Sequence, residues 1–162
     1  MKQIGFYRDE NDDLNVQGIK ISSLAEKYGT PLFIYDASLM KERYNVFLET
    51  IKEVKGNIHY AVKANDALSI ISYFGKLGCG ADIVSIGEFE KCVAAGISPQ
   101  KIIFSGVGKD KDEIEIARKN NILQFNIESE EELNDISEIS SRLKITAKIC
   151  LRVNPDIAPK TH

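Results

Sequence analysis

A chain of 162 residues is long enough for one domain with a sizeable core, but short of the roughly 250 residues of a complete eight-stranded β/α barrel. Hydrophobic residues at 43% and charged residues at 28% describe an ordinary folded protein, and a net charge of -3 with both signs interspersed offers no cationic stripe for a nucleic acid. Three widely spaced cysteines, Cys79, Cys92 and Cys150, suggest neither a disulfide framework nor a zinc knuckle, and no apolar run approaches membrane-spanning length. A cytoplasmic setting is the expectation.

Residues 1–20 are mixed and polar, with Asn11-Asp12-Asp13 as a turn and Gly18 as a loop punctuator. Ser23 to Glu26 has the form of a capping box, which predicts a short helix stopped by Gly29 and Pro31. Residues 32–35 are expected as a short strand. Asp36 then caps a helix whose Met40, Tyr44, Phe47, Ile51 and Val54 recur on one face, the pattern of core packing, and Gly56 ends it.

From there a unit repeats. Strands are predicted at 58–62, 81–84, 101–104, 122–127 and 145–153, with a helix between each successive pair. Three of those helices open with capping patterns, Ser85 with Glu88, Asp110 with Glu113 and Ser129 with Glu132, and Gly96 closes the first. Short apolar strands alternating with helices mean a parallel sheet covered by crossovers, so the fold class is α/β. Periodicity alone does not choose between a doubly wound sheet and a barrel. Polar residues that follow the strands, such as Lys63, Ser85, Ser105 and Asn154, favour a barrel, where such groups converge on one rim. Five βα-type strands are then the first five of a partial (β/α)8 TIM-type barrel.

Lys63 directly follows an apolar strand, so its amine is expected at the mouth of a buried sheet, where desolvation favours the neutral, nucleophilic form. A surface lysine extending from a strand end is the alternative. Asp82 lies at the next strand and is either a site carboxylate or a turn aspartate. Arg152 sits in the apolar run from Ile149 to Val153, where a guanidinium requires a buried polar partner unless it turns outward to a salt bridge. Tyr60 either faces the barrel interior or packs in the core. Asn65 either orients Lys63 or caps its loop, and Ser85 is as readily a helix cap as a ligand neighbour. Cys79 reads as a small loop residue. His59 and His162, far apart in sequence, are assigned no metal.

The run Tyr60-Ala61-Val62-Lys63-Ala64-Asn65 resembles the cofactor-lysine motif of the fold-type III, alanine-racemase-like pyridoxal-phosphate enzymes. Five further strings, Gly29 to Asp36, Gly80 to Ser85, Ile103 to Lys109, Gln124 to Ser129 and Leu151 to Asp156, resemble the diaminopimelate decarboxylase branch of that family, in its order and spacing from about Ile21 onward. The resemblance implies pyridoxal 5'-phosphate held by Lys63 as a Schiff base. It also implies decarboxylation of meso-2,6-diaminopimelate to L-lysine and carbon dioxide, and a homodimer at full length. Asp82, Arg152, Ser85, Tyr60 and Asn65 would lie about the cofactor. Ile86 replaces a glycine usual in the family.

The same resemblance implies that residues 1–35 join a C-terminal β-rich domain in full-length relatives, and that 36–162 form an incomplete cofactor-binding barrel. The cofactor-phosphate loops and the substrate-contacting domain would lie in segments this sequence does not contain, so the chain by itself is expected to have little or no activity. Ornithine, arginine or carboxynorspermidine decarboxylases, or a non-catalytic pyridoxal-phosphate-binding barrel, remain alternatives.

Overall fold

A computed structural model describes residues 4–157; His162 and its neighbours from residue 158 lie outside the described residues. The chain divides after Gly56 into two compact units. The first therefore includes the helix at 37–50, whereas the sequence reading starts the barrel at residue 36.

In the first unit, strands β1 (Phe6–Arg8), β2 (Leu14–Val16) and β3 (Ile19–Lys20) form an antiparallel sheet. These strands escaped the sequence reading because two or three residues are too few to display alternation. Asp9 shapes the turn between β1 and β2: its Oδ1 accepts the N–H groups of Asn11 and Asp13, while the buried Asn15 donates to its Oδ2. Helix α1 (Ile21–Tyr28) begins at Lys20 without a side-chain cap, so Ser23 lies inside the helix rather than at its start. Residues 32–35, expected as a strand, pair with no other strand among the described residues.

Helix α2 (Ala37–Thr50) is capped as expected, the Asp36 side chain accepting from Ser38 N and Leu39 N. The same carboxylate accepts from Gly5 N at 2.9 Å and Gln17 Nε2 at 3.0 Å. Burial opposes its ionisation, but these four donors outweigh that and hold the carboxyl below its ordinary range. The expected core stripe of α2 is not core here: none of its residues is buried, and Phe47 and Val54 are largely exposed.

The second unit is a five-stranded parallel sheet in strict chain order: β4 (His59–Ala61), β5 (Gly80–Ile83), β6 (Ile102–Phe104), β7 (Gln124–Ile127) and β8 (Ile149–Leu151). Helices α3 (Leu68–Lys76), α4 (Ile86–Ala94), α5 (Lys111–Lys119) and α6 (Glu130–Leu143) connect them. One cluster joins the strand residues Ala81, Ile83, Phe104 and Phe125 to Ile71, Phe89, Ile114 and Ile136 of all four helices. All four helices therefore cover the same face. A doubly wound sheet would split them between two faces and reverse its strand order; this sheet is wound in one direction, as a barrel is.

The rings of Phe104 and Phe125 stack at 6.0 Å in that core, and each fully buried side chain stabilises the fold by about 1.5–3 kcal/mol. All three anticipated caps form, with Ser85, Asp110 and Ser129 accepting from the N–H three residues on. Gly96, at φ +91°, takes the left-handed position just past α4. Ile86 occupies the first turn of α4 and packs on the core, so the replaced glycine is not needed there. Cys79 lies in the loop before β5, as expected, and is buried there, its Sγ donating to the Ile58 carbonyl, and burial pushes its thiol up to about 11. The fifth strand, expected across 145–153, is limited to three residues, all exposed, because only one of its flanks is paired.

Candidate active site

Parallel strands place their C-terminal ends on one rim, and on the face away from the helices their side chains alternate with the core residues. In β7 the core takes Phe125 and Ile127, so Gln124, Asn126 and Glu128 share the opposite face. A cavity of about 380 Å³ lies there, lined by Lys63, Asp82, Ser105, Asn126, Glu128, Cys150 and Arg152.

Lys63 does not extend the strand. It sits in a single 3-10 turn, Val62–Ala64, closed by Asn65 N donating to Val62 O at 3.0 Å. Its side chain lines the cavity, and the residue is exposed. No carboxylate pairs with its ammonium among the described residues.

Asp82 accepts a hydrogen bond from Ser105 Oγ at 2.5 Å, Ser105 Oγ accepts from Asn126 Nδ2 at 2.9 Å, and Asn126 Oδ1 accepts from Gln124 Nε2 at 3.0 Å. This row of bonds crosses β5, β6 and β7 and fixes the orientation of the Asp82 carboxylate. Arg152 lies just past β8 and is itself exposed, but it has the buried polar partner expected for a guanidinium in this run. Its partner is the part that is buried: Nη1 donates to both Glu128 oxygens, at 2.9 and 3.1 Å, and Glu128 also accepts from Gly106 N. Burial opposes ionisation of Glu128, but Arg152, the Gly106 N–H and the nearby charge of Lys109 hold its carboxyl below the ordinary range.

The loop after β6 turns at Gly106, where φ is +95° and an added Cβ would meet Val84 Cβ at 3.3 Å. Lys109 anchors it. Its side chain is fully buried, donates to the carbonyls of Gly106 and Asn126, and pairs with Glu132 at 2.6 Å. Glu132 Oε2 in turn accepts from Glu128 N. A single buried ammonium thus ties together the two loops that carry Ser105 and Glu128.

The structure brings Lys63, Asp82 and Arg152 to one cavity and separates the other three expected residues from it. Tyr60 pairs in register with Ala81 on the helix side, where its ring stacks on Phe74 at 4.6 Å, and its hydroxyl donates to the Asn65 carbonyl. Tyr60 therefore packs in the core and braces the lysine turn. Asn65 spends its Oδ1 on Ala67 N, and Ser85 spends its Oγ on capping α4. Ser105 and Glu128, which follow their strands on the rim, line the cavity as well, and so do Asn126 and Cys150, which were not singled out. The alternation in Gln124-Phe125-Asn126-Ile127-Glu128 already carried that signal for β7. Among the described residues no group of three or more His, Cys, Asp or Glu could hold a metal ion.

A singly wound parallel α/β sheet with an unpaired primary amine, two carboxylates and a guanidinium on its C-terminal rim defines a barrel-type small-molecule site. The chain belongs to the pyridoxal-dependent decarboxylases, whose pyridoxal binding domain matches residues 37–162. It is 42% identical over 156 residues to the diaminopimelate decarboxylase of Aquifex aeolicus, covering 96% of this chain and 36% of that protein. It is 49% identical over 139 residues to that of Helicobacter pylori strain J99, covering 86% of this chain and 34% of the relative. The crystal structure of diaminopimelate decarboxylase from M. jannaschii in complex with L-lysine superposes with a TM-score of 0.88 at 36% identity, over 99% of this chain and 38% of that one. The chain thus spans little more than a third of the length of these relatives, and its fold matches their N-terminal part.

The residues present fit the reactive end of a pyridoxal cofactor. An amine without an ion-pair partner is free for an aldehyde, and a carboxylate held by the hydrogen-bonded row of Ser105 and Asn126 is a ready acceptor beside it.

Proposed function

We propose that this chain forms the first part of the cofactor barrel of a carboxy-lyase that converts meso-2,6-diaminopimelate to L-lysine and carbon dioxide. The observation that carries the reading is Lys63 on the same cavity as Asp82, Glu128 and Arg152, within a run that resembles the family's cofactor-lysine motif. The named relatives and the lysine-bound neighbour support this substrate over other basic amino acids. Turnover, and assembly as a homodimer, are proposed for a protein of the relatives' length, in which residues 1–35 join a β-rich domain.

Bound pyridoxal phosphate would supply the electron sink for loss of a carboxylate. Lys63 supplies the amine that holds the aldehyde. Asp82, kept in one orientation by Ser105, accepts a hydrogen bond at the reacting end and favours a protonated nitrogen nearby. Arg152, steadied through Nη1 by the Glu128 carboxylate, keeps its remaining N–H groups for an anionic or phenolic oxygen. Asn65, Tyr60 and Ser85 act only as positioning residues, holding the lysine turn and the start of α4.

Incubation with pyridoxal phosphate, borohydride reduction and peptide mapping test the lysine. Label concentrated on Lys63 and abolished by Lys63→Arg is expected; label spread evenly over surface lysines refutes the assignment. Carbon dioxide release by a protein of the relatives' length, compared for diaminopimelate, ornithine, arginine and carboxynorspermidine, tests the substrate.

A further inference from the structure

The opposite end of the parallel sheet carries a second polar site that the proposed reaction does not use. Arg118, in the last turn of α5, is 1% exposed, and its Nη2 donates to the Thr146 carbonyl at 2.8 Å. Its Nε–H is buried without an acceptor, and among the described residues no carboxylate pairs with the guanidinium. Burial alone displaces the group below its ordinary pKa, with no opposing charge to restore it. A guanidinium taken out of water without a counter-charge is costly, and an anion is what relieves that cost.

Beside it lies a cavity of about 110 Å³ whose polar lining is Arg118, Lys148, Gln100, Asn121 and Thr146. The Lys148 ammonium has no carboxylate partner among the described residues. Gln100 receives the Ser98 hydroxyl on its Oε1, which leaves its amide N–H groups as donors. An adjoining cavity of about 140 Å³ shares Gln100 and adds Lys101 and His59, whose Nδ1 is buried without a partner. No aspartate or glutamate lines either cavity. A space several times the roughly 30 Å³ share of one water admits a four-oxygen ion but not a nucleotide.

We propose that this donor-lined cavity at the N-terminal ends of β7 and β8 binds a tetrahedral inorganic oxyanion, phosphate or sulfate, between Arg118, Lys148 and Gln100. The guanidinium supplies a directional donor already fixed by its bond to Thr146, and Lys148 supplies the second charge from the solvent side. The site is separate from Lys63 and does not depend on the proposed reaction.

Equilibrium dialysis of the full chain against radiolabelled phosphate, at ionic strength held constant with sodium chloride, tests it. One saturable phosphate per chain is expected, displaced by sulfate and not by chloride. Lys148→Gln, an exposed position, should raise the half-saturating phosphate concentration roughly tenfold, the loss of one charge-assisted bond, and leave the unfolding midpoint in phosphate-free buffer unchanged. Lys63→Arg should leave phosphate binding intact. Absence of saturable binding, or affinity unaltered by Lys148→Gln, overturns the proposal, as does loss of phosphate binding on Lys63→Arg.

Discussion

Replacing Lys109 by methionine should be among the most damaging single changes in the second unit, for an electrostatic rather than a volumetric reason. The Nζ of Lys109 and Glu132 Oε1 are 2.6 Å apart, with the lysine side chain fully buried and that of the glutamate nearly so. At an effective dielectric constant of about 20 their attraction is roughly 6 kcal/mol before desolvation is subtracted. Methionine fills most of the space but leaves Glu132 as an uncompensated buried charge and frees the carbonyls of Gly106 and Asn126. Breaking one half of a buried pair costs about 3–5 kcal/mol, a large share of an ordinary domain's stability. The double variant Lys109→Met with Glu132→Gln removes the stranded charge and keeps an acceptor for Glu128 N. It should recover about half of the loss. Urea unfolding followed by far-UV circular dichroism measures both. A loss below about 1 kcal/mol for Lys109→Met, or a double variant as unstable as the sum of the two single changes, refutes the argument.

Gly80→Ala should destabilise by about 2–3 kcal/mol in the same assay, because a Cβ would lie 2.4 Å from His59 Nδ1 and 2.5 Å from the Lys101 carbonyl, a backbone atom that cannot step aside. Asp36 has its folded pKa lowered, so its ionised form contributes stability that is present above the unfolded value near about 4 and is lost as pH falls through the folded value. The difference in urea midpoint between the native chain and Asp36→Asn should therefore be steady from pH 7 to about pH 5 and close below about pH 4; a gap that widens on acidification contradicts this. Burial pushes the thiols of Cys79 and Cys92 up to about 11 and about 12, whereas Cys150 is exposed. A thiol reagent at neutral pH should modify one cysteine in the folded chain and three after unfolding, with the fast site mapping to Cys150.

The βα rhythm of residues 57–151 was legible because three of the four helices announce their start with a local cap and each strand is a short apolar run. Choosing a singly wound sheet needed the structure, since only packing shows that α3 to α6 share one face. Where the reading failed, long-range context had decided the outcome. The α2 stripe has the period of a buried face, yet Met40, Tyr44 and Ile51 are only half-buried and Phe47 and Val54 are exposed, and 32–35 has strand composition but pairs with no strand among the described residues. At the site, Lys63 was singled out by its place after an apolar strand, Arg152 by its place in an apolar run and Asp82 by resemblance to the family, and the three line one cavity. For Tyr60 the sequence left interior and core placements open, and only the register of β4 against β5 selects the core. What Glu128 and Lys109 bond was not legible, because it comes from burial beside partners more than fifteen residues away, or on another loop, which no local pattern reports.

Glu88 and Glu132 reach back past their own serine caps to the N–H groups of Val84 and Glu128, the last peptide before each helix begins. Each of these two corners between strand and helix is thereby clamped within a span of five residues. The rim residues Asp82, Ser105 and Asn126 lie outside these clamps, so a change of one of them leaves the two strand-to-helix corners in place.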